Sequence, residues 1–579
     1  MPEQPVSRTD AAECSAPRSP SRPIARLRTA LILLLTLFFV GLTHYSSSPL
    51  RNIVQHQPLL NCDNNPTGTD SVVFLYIGRI ILNGGMPYRD AFDHKGPLVY
   101  LLDAAGLAVG GVFGVWLLEL LFLTVSTIFA YKTARFFAAP PIALFTTVVA
   151  ILWYTARCDS NFCETWSVPF LLTSLYFWIR YLKSGCQIGK TATFTVGLCF
   201  AGVLLLKPNL TALWMLFCLT VAAVSIRRAA AGKEPDGAVP RGGRALGFLC
   251  SRVALFLLGA AALLLPVLGW LWKNGAWNDF IAQYWDFNRI YCQVGFDQKL
   301  ITFARCFACI PIEAYFSFFA VIGYIILARR AKNGADRALW ISMEIFLILN
   351  LALMSMSGRS ARHYSAPLVA PFLPFLAAAF DWCFQKERSG RKKFVRYALL
   401  VLLLVPTVVY DIPMFRPVRD MTKMAVLRRL HPKTDYSKFY RVYGYPYFYE
   451  EFDAVTMADW LKKNTTPETR IASFGIGGRI FYWYAERTCV TKYFYIRDTH
   501  LENGYLPEIA AELKEKAPEV FIFQTKGGYP SRLGKERTAR ADSPSERKTF
   551  PMPDEIAEWI AAEGYEKVFE NDTYEVYRK

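Results

Sequence analysis

Windows of about 20 apolar residues recur along the first 413 positions of this 579-residue chain, each long enough to cross a hydrocarbon core of about 30 Å. Lipid offers no partner to a free backbone N–H or C=O, so a chain with this repeat is confined to a bundle of spanning helices. The windows lie near 27–45, 111–130, 140–157, 164–182, 191–207, 209–226, 246–272, 308–328, 339–356, 364–383 and 397–413, which makes about eleven transmembrane helices. The break at Lys207-Pro208-Asn209 is so short that it must be a tight hairpin. With 53% hydrophobic and 19% charged residues, the composition agrees with a polytopic membrane protein.

Orientation follows from the basic residues, because Lys and Arg beside spans are retained on the cytoplasmic side. Alternate connections are basic, from Arg22, Arg26 and Arg28 through Lys132 and Arg135 to the cluster Lys386 to Arg396. This pattern predicts a cytoplasmic N-terminus (1–26, rich in Pro, Ser and Arg and expected to be disordered) in the inner (plasma) membrane. It places a first large loop, 46–110, and everything after the last span on the outer face. The first apolar run lacks a small-residue cleavage site, so 27–45 reads as a retained anchor.

The net charge of +18 raises the question of nucleic acid. Residues 414–579 hold 27 basic and 25 acidic side chains, so the excess belongs to the membrane half and is topological. No basic and aromatic groove motif accompanies it, and nucleic acid is excluded as a partner.

The segment 414–579 changes character. "RIASFG", "EVFIFQ", "EKVFE" and "TYEVYR" read as strands, and "PEIAAELKEKA" and "DEIAEWIAAEG" as helices. The expectation is an extracytoplasmic α/β domain, with "TKGGYPSRLGKERTARADSPSERKTF" as a mobile loop. The glycines Gly475 to Gly478 follow a strand but lack the spacing and the Lys of a phosphate loop. Thirteen cysteines are scattered, and no Cys/His cluster marks a metal site. Cys158 and Cys163 share one outward loop, and the sequence leaves a short disulfide or two free thiols equally open.

Ionisable groups concentrate in "DSVVFLYIGRIILNGGMPYRDAFDHKGPLVY", residues 70–100. Its first half suits a helix lying along the outer interface, and its second half returns the chain toward the membrane at Pro97. Arg79 and Tyr88 suit anchoring at lipid headgroups. A compact Asp93-His94-Lys95-Gly96-Pro97 turn does not, because charge near a bilayer is costly and tends to be kept for function. Asp93 and His94 are adjacent donors for a divalent ion, but two neighbouring side chains do not make a site, so a metal is left open and no other cofactor is indicated.

An aspartate opening the first outward loop, a short helix and then "GGMPYRDAFDHKGPLVY" resemble the first loop of the GT-C superfamily of polytopic glycosyltransferases. Four further stretches resemble that superfamily in order: "DSNFCETWSVPFLL", "LLLKPN", "NGAWNDFIAQYWDFNRIY" and "GRSARHYSAPLVAPFLPFLA". The resemblance spans most of 27–413 and implies a GT-C-like catalytic bundle that takes a sugar from a polyprenyl-phosphate carrier. The sugar passes, usually with inversion, to a hydroxyl of a glycan, lipid or protein on the outer face.

By the same resemblance Asp70 matches the catalytic base, although Ser71 stands where many relatives carry a second acid. Asp159 and Glu164 are candidates for an acid that orients acceptor or sugar, with a plain helix N-terminal acid as the alternative for Glu164. Lys95, Arg359 and Arg362, with Asp93, His94, His363 and Lys207 behind them, are candidates for the phosphate and substrate site, Arg for bidentate contact and Lys as a point charge. Lys207 also suits snorkelling from a span end. A ligase or polymerase of lipid-linked glycans would need one large late loop, and these are short. A flippase or transporter would favour repeated halves and mid-membrane polar groups, whereas these residues collect at the outer ends of spans.

Overall fold

The computed structural model describes residues 34, 69–155, 161–184, 187–231, 242–308, 311–359, 362–385, 390–406, 448–527, 548–549 and 551–579, with Arg362 defined in its backbone only. The expected N-terminal segment 1–26, the span 27–45, Cys158, Asp159, the Arg362 side chain and most of the polar stretch 525–550 lie outside what is described.

Helices lie over every expected span that falls in these residues. Pro97–Ala134, Pro140–Thr155, Cys163–Lys183, Lys190–Leu204 and Ala212–Ala231 are followed by Gly242–Lys273, Pro311–Arg330, Gly334–Ser355, Val369–Phe384 and Gly390–Pro406. Among the described residues four stretches, Pro97–Ala134, Gly247–Lys273, Gly334–Ser355 and His363–Phe384, are long and apolar enough to cross a membrane by themselves. The short break at Lys207 is a 3-10 turn, Pro208–Leu210, and Cys163 carries a free, buried thiol.

The 38-residue segment Pro97–Ala134 is two helices, not one. Gly110 and Gly111 leave helical geometry, Gly111 at φ +60°, and a Cβ on Gly106 would meet backbone atoms of Val115 at 2.6 Å. Residues nine apart in a continuous helix are separated by about 13 Å, so the chain doubles back at the Gly110-Gly111 turn. Gly106→Val should therefore force the two arms apart and cost at least the ~1–3 kcal/mol of an overpacked core, read as a lower thermal unfolding midpoint in detergent.

The helix Thr69–Leu82 does not lie on a lipid interface. Ser71 to Ile77 are all buried, because the helix sits between the first arm of that hairpin and the helix Gly478–Ala485. Each buried Val, Phe, Leu or Ile there contributes about 1.5–3 kcal/mol. Arg79 corrects the headgroup reading most directly: its guanidinium donates to the carbonyls of Trp483, Tyr482 and Arg487 at 2.8–3.1 Å. Tyr88 is fully buried rather than interfacial.

Beyond residue 448 a four-stranded sheet forms. Ile471–Phe474 runs parallel to Val520–Gln524, which pairs antiparallel with Tyr574–Arg578, itself paired antiparallel with Glu566–Glu570. Parallel neighbours need a long crossover. Here the crossover carries the helices Gly478–Ala485, Asp498–Glu502 and Leu506–Lys516, and its loop Cys489 to Arg497 is laid along the membrane half. The Phe92 N–H donates to the Lys492 carbonyl at 2.8 Å and the Cys489 N–H to the Tyr76 hydroxyl at 3.0 Å. After the first strand, Gln524 Oε1 accepts from the N–H groups of Ile476 and Gly477 at 2.8 and 2.9 Å, so those glycine-loop donors are already occupied.

Candidate active site

Asp70 sits in the first turn of its helix, where the positive end of the helix dipole favours a carboxylate. Arg497, from the crossover of the sheet, donates from Nη2 to Asp70 Oδ1 at 3.0 Å. Burial alone would raise the Asp70 pKa. The positive charge of Arg497, then of Lys95, His363 and Arg479, outweighs it and holds the carboxyl far below the usual range, so Asp70 is ionised at neutral pH.

The turn after it is built by buried hydrogen bonds. Asp93 accepts from the Tyr100 hydroxyl at 2.7 Å and from the Tyr495 hydroxyl at 3.0 Å, and its N–H donates to Gln283 Oε1 at 3.2 Å. Lys95 Nζ lies 2.9 Å from His94 Nε2, and His94 Nδ1 lies 2.9 Å from Asn288 Oδ1. An ammonium only donates, so Nε2 accepts, and Nδ1–H donates to Asn288. Burial, with Lys95 beside it, pushes the His94 pKa well down and keeps the ring neutral. Burial would lower the Lys95 pKa, but Asp93 and Asp70 reverse that and raise it.

Tyr88 holds the turn from below at φ +70°, an uncommon and strained backbone for an aromatic residue. Its hydroxyl donates to the Lys95 carbonyl at 2.7 Å, and its own carbonyl accepts from Gln283 Nε2 at 2.7 Å. Gln283 and Asn288 come from "NDFIAQYWDFNRIY", whose middle, Ile281–Phe287, is a π-helix, a feature frequent at functional sites.

A second cluster lies beside the first, because the Gly96 N–H donates to the Leu206 carbonyl at 3.2 Å. A Cβ there would meet the Leu205 carbonyl oxygen at 2.0 Å, so only glycine lets the Lys95 turn lie against the Lys207 hairpin. Lys207 does not snorkel: its Nζ is 2.5 Å from Glu164 Oε1 and 3.7 Å from the centroid of the Tyr364 ring. Glu164 is in the first turn of Cys163–Lys183, yet it is buried and ion-paired and so more than a dipole partner. His363 Nε2 is 4.0 Å from the same oxygen. Arg359 stacks over Tyr291 at 3.8 Å, and the Tyr291 ring is 5.1 Å from that of His94.

The structure thus brings Asp70, Asp93, His94 and Lys95 into one network, with Glu164, Lys207 and His363 in another beside it and Arg359 linked through Tyr291. Asp159 and the Arg362 side chain lie outside the described residues. Asp93 and His94 do not fit a metal: both carboxylate oxygens and both ring nitrogens are already engaged, and among the described residues no group of three or more His, Cys, Asp or Glu is placed to hold an ion.

Sequence reasoning missed Arg497 and Tyr495, which lie beyond the last span and carry no motif, and Tyr100. It also missed a buried clamp on the second loop. Asn161 Nδ2 donates to Asp103 Oδ2 at 2.8 Å, its N–H to Glu119 Oε1, and its Oδ1 accepts from Trp166 Nε1 at 2.9 Å. The left-handed backbone of Asn161, φ +60°, is one that Asn tolerates. The clamp fixes the start of the helix that bears Glu164.

This helical bundle with its sheet-containing tail is the GT-C fold. It is similar to ArnT from Cupriavidus metallidurans without ligand, at 14% identity and a TM-score of 0.53, and to the same protein bound to undecaprenyl phosphate, at 12% and 0.50. Each comparison covers 96% of this chain and 98% of the other. Within that fold the chain belongs to the family described as "Putative competence-induced protein Ccs4 N-terminal domain", which matches residues 57–405. No curated protein matches the sequence.

Proposed function

We propose that the chain is an integral membrane glycosyltransferase that moves a sugar from a polyprenyl-phosphate carrier to an acceptor hydroxyl on the outer face, with inversion. The observation that carries this reading is an ionised carboxylate, Asp70, beside Arg497 and Lys95. A hydroxyl is a poor nucleophile, so a base must take its proton as it attacks, and the departing phosphate is an anion that needs cations around it.

In the step itself the acceptor oxygen forms a bond to the anomeric carbon while its proton passes to Asp70. The carbon–oxygen bond to the carrier breaks, and the phosphate leaves with the electron pair. Lys95 and Arg359 hold that phosphate, with Arg362 in the same role. Glu164, ion-paired with Lys207, and Asp159 orient the acceptor or sugar. ArnT, whose fold this is, has been captured with undecaprenyl phosphate, which supports a carrier of that class. No step is assigned to a metal.

Mass spectrometry of surface glycans and lipids from a deletion strain should reveal one missing sugar, and an unaltered profile would count against transferase activity. The reading also requires residues 448–579 to face outward. In a background cleared of other reactive cysteines, Glu515→Cys, on the exposed face of Leu506–Lys516, should react with an impermeant thiol reagent in intact spheroplasts. Labelling only after lysis would invert the topology.

A further inference from the structure

We infer that Arg497 is a transferable counter-ion: it covers Asp70 in the empty site and moves to the donor's phosphate when the carrier binds, so that donor binding releases the base. This rests on the carrier reading above and adds a residue from outside the membrane bundle.

Geometry favours a guanidinium that can leave. Arg497 meets Asp70 through one nitrogen, Nη2, at 3.0 Å, whereas a pair built for permanence uses the two-pronged arrangement of which Arg is capable. Its Nε is buried and has no hydrogen-bond partner. A buried, unsatisfied cationic donor is costly, and a phosphate oxygen would satisfy it. The backbone on either side is fixed: the Ile496 N–H donates to the Gly475 carbonyl at 2.8 Å, and the Arg497 N–H to His500 Nδ1 at 3.0 Å. The side chain therefore pivots from an anchored Cα, without the domain having to move.

Chemistry requires some such movement. A carboxylate locked to an arginine is a weak base, and Asp70 faces Arg497, Lys95, His363 and Arg479 together. A phosphate arriving next to Lys95 competes with Asp70 for Arg497 and can also meet the Nε donor that Asp70 leaves unsatisfied. Once Arg497 turns to it, Asp70 keeps Lys95 as its neighbour but loses its direct ion pair, and its basicity rises at the moment an acceptor proton is to be taken. Without donor, the base stays masked.

The test uses the full chain in nanodiscs with undecaprenyl phosphate as the probe and undecaprenol, which has the same tail and no phosphate, as the control. Wild type should prefer the phosphate. Arg497→Gln should weaken undecaprenyl phosphate binding by roughly ten- to hundredfold, the range for a hydrogen bond to a charged group, and leave undecaprenol binding unchanged. Arg497→Lys should restore part of the preference. A cryo-EM structure of the phosphate complex should show the Arg497 guanidinium on a phosphate oxygen and off Asp70.

A guanidinium still on Asp70 in that complex overturns the proposal, as does equal weakening of both lipids in Arg497→Gln, which marks a structural role. Should Arg497→Gln fail to fold, the cryo-EM arm and Arg497→Lys still decide. A wild type with no preference for the phosphate is a separate result, and it overturns the carrier reading together with the proposal.

Discussion

Asp70→Asn should lower sugar transfer by roughly 10²- to 10⁴-fold, the range for loss of a general base, while undecaprenyl phosphate still binds. Asparagine keeps the size and one acceptor oxygen but cannot take a proton. The pH dependence follows from the environment of the wild-type carboxyl. Arg497, Lys95, His363 and Arg479 hold its pKa far below the usual range against the effect of burial. A depressed carboxyl favours the folded state above the unfolded value of about 3.9 and loses that contribution as pH falls through the folded one. Transfer should therefore show no Asp70 limb between pH 5 and 8. Two neighbours serve as controls. Asp90 is paired with Arg89 at the surface, and Asp90→Asn should be close to wild type. Asp93→Asn disturbs one of two tyrosine hydrogen bonds, so it should cost stability before it costs chemistry. Full activity in Asp70→Asn with loss in Asp93→Asn would reassign the base within the same loop.

Much of the membrane half was legible because apolar periodicity there is a strong signal, and charge stands out against it. Lys95 and Glu164 could be singled out since few ionisable side chains compete with them near the ends of spans. Lys207 was found for the same reason, though its alternative as a snorkelling lysine could be dismissed only once Glu164 was seen 2.5 Å away.

The opposite holds beyond residue 414. With 27 basic and 25 acidic side chains in that segment, nothing distinguishes Arg497 from its neighbours, and contacts across more than 400 positions leave no local pattern. Arg79 was misread for a related reason: an arginine on an apolar helix suggests a lipid headgroup until the carbonyls of Tyr482, Trp483 and Arg487 appear above it. Glu119 was hidden inside the window 111–130, because a single acid barely lowers the mean of 20 residues, Asp103 fell in the loop read as 46–110, and only folding brings both to Asn161. The reversal at Gly110-Gly111 is a backbone event that hydropathy does not register.

Lys207→Met should be the most destabilising of the substitutions considered, by about 3–5 kcal/mol, the usual cost of removing one partner from a buried ion pair. Glu164 is 2% exposed, so its carboxylate would lose its cation where water cannot replace it, and His363 at 4.0 Å is a poor substitute. The thermal unfolding midpoint in nanodiscs should fall clearly, and Glu164→Gln should fall less, since a neutral amide still accepts from Lys207. The informative variant is the double one, Lys207→Met with Glu164→Met. Replacing a buried pair with apolar side chains of similar volume is often neutral or stabilising, so the midpoint should return to near that of wild type. Transfer should not return, because the charges proposed to orient the substrate would still be missing. If the double variant regains stability and activity together, the pair is scaffold and the chemistry rests on the Asp70 network alone. If it regains neither, the two side chains hold the hairpin in place through shape as well as charge, and the assignment of Glu164 to substrate would have to be made from the single variant Glu164→Gln, through its effect on kcat against KM for the acceptor.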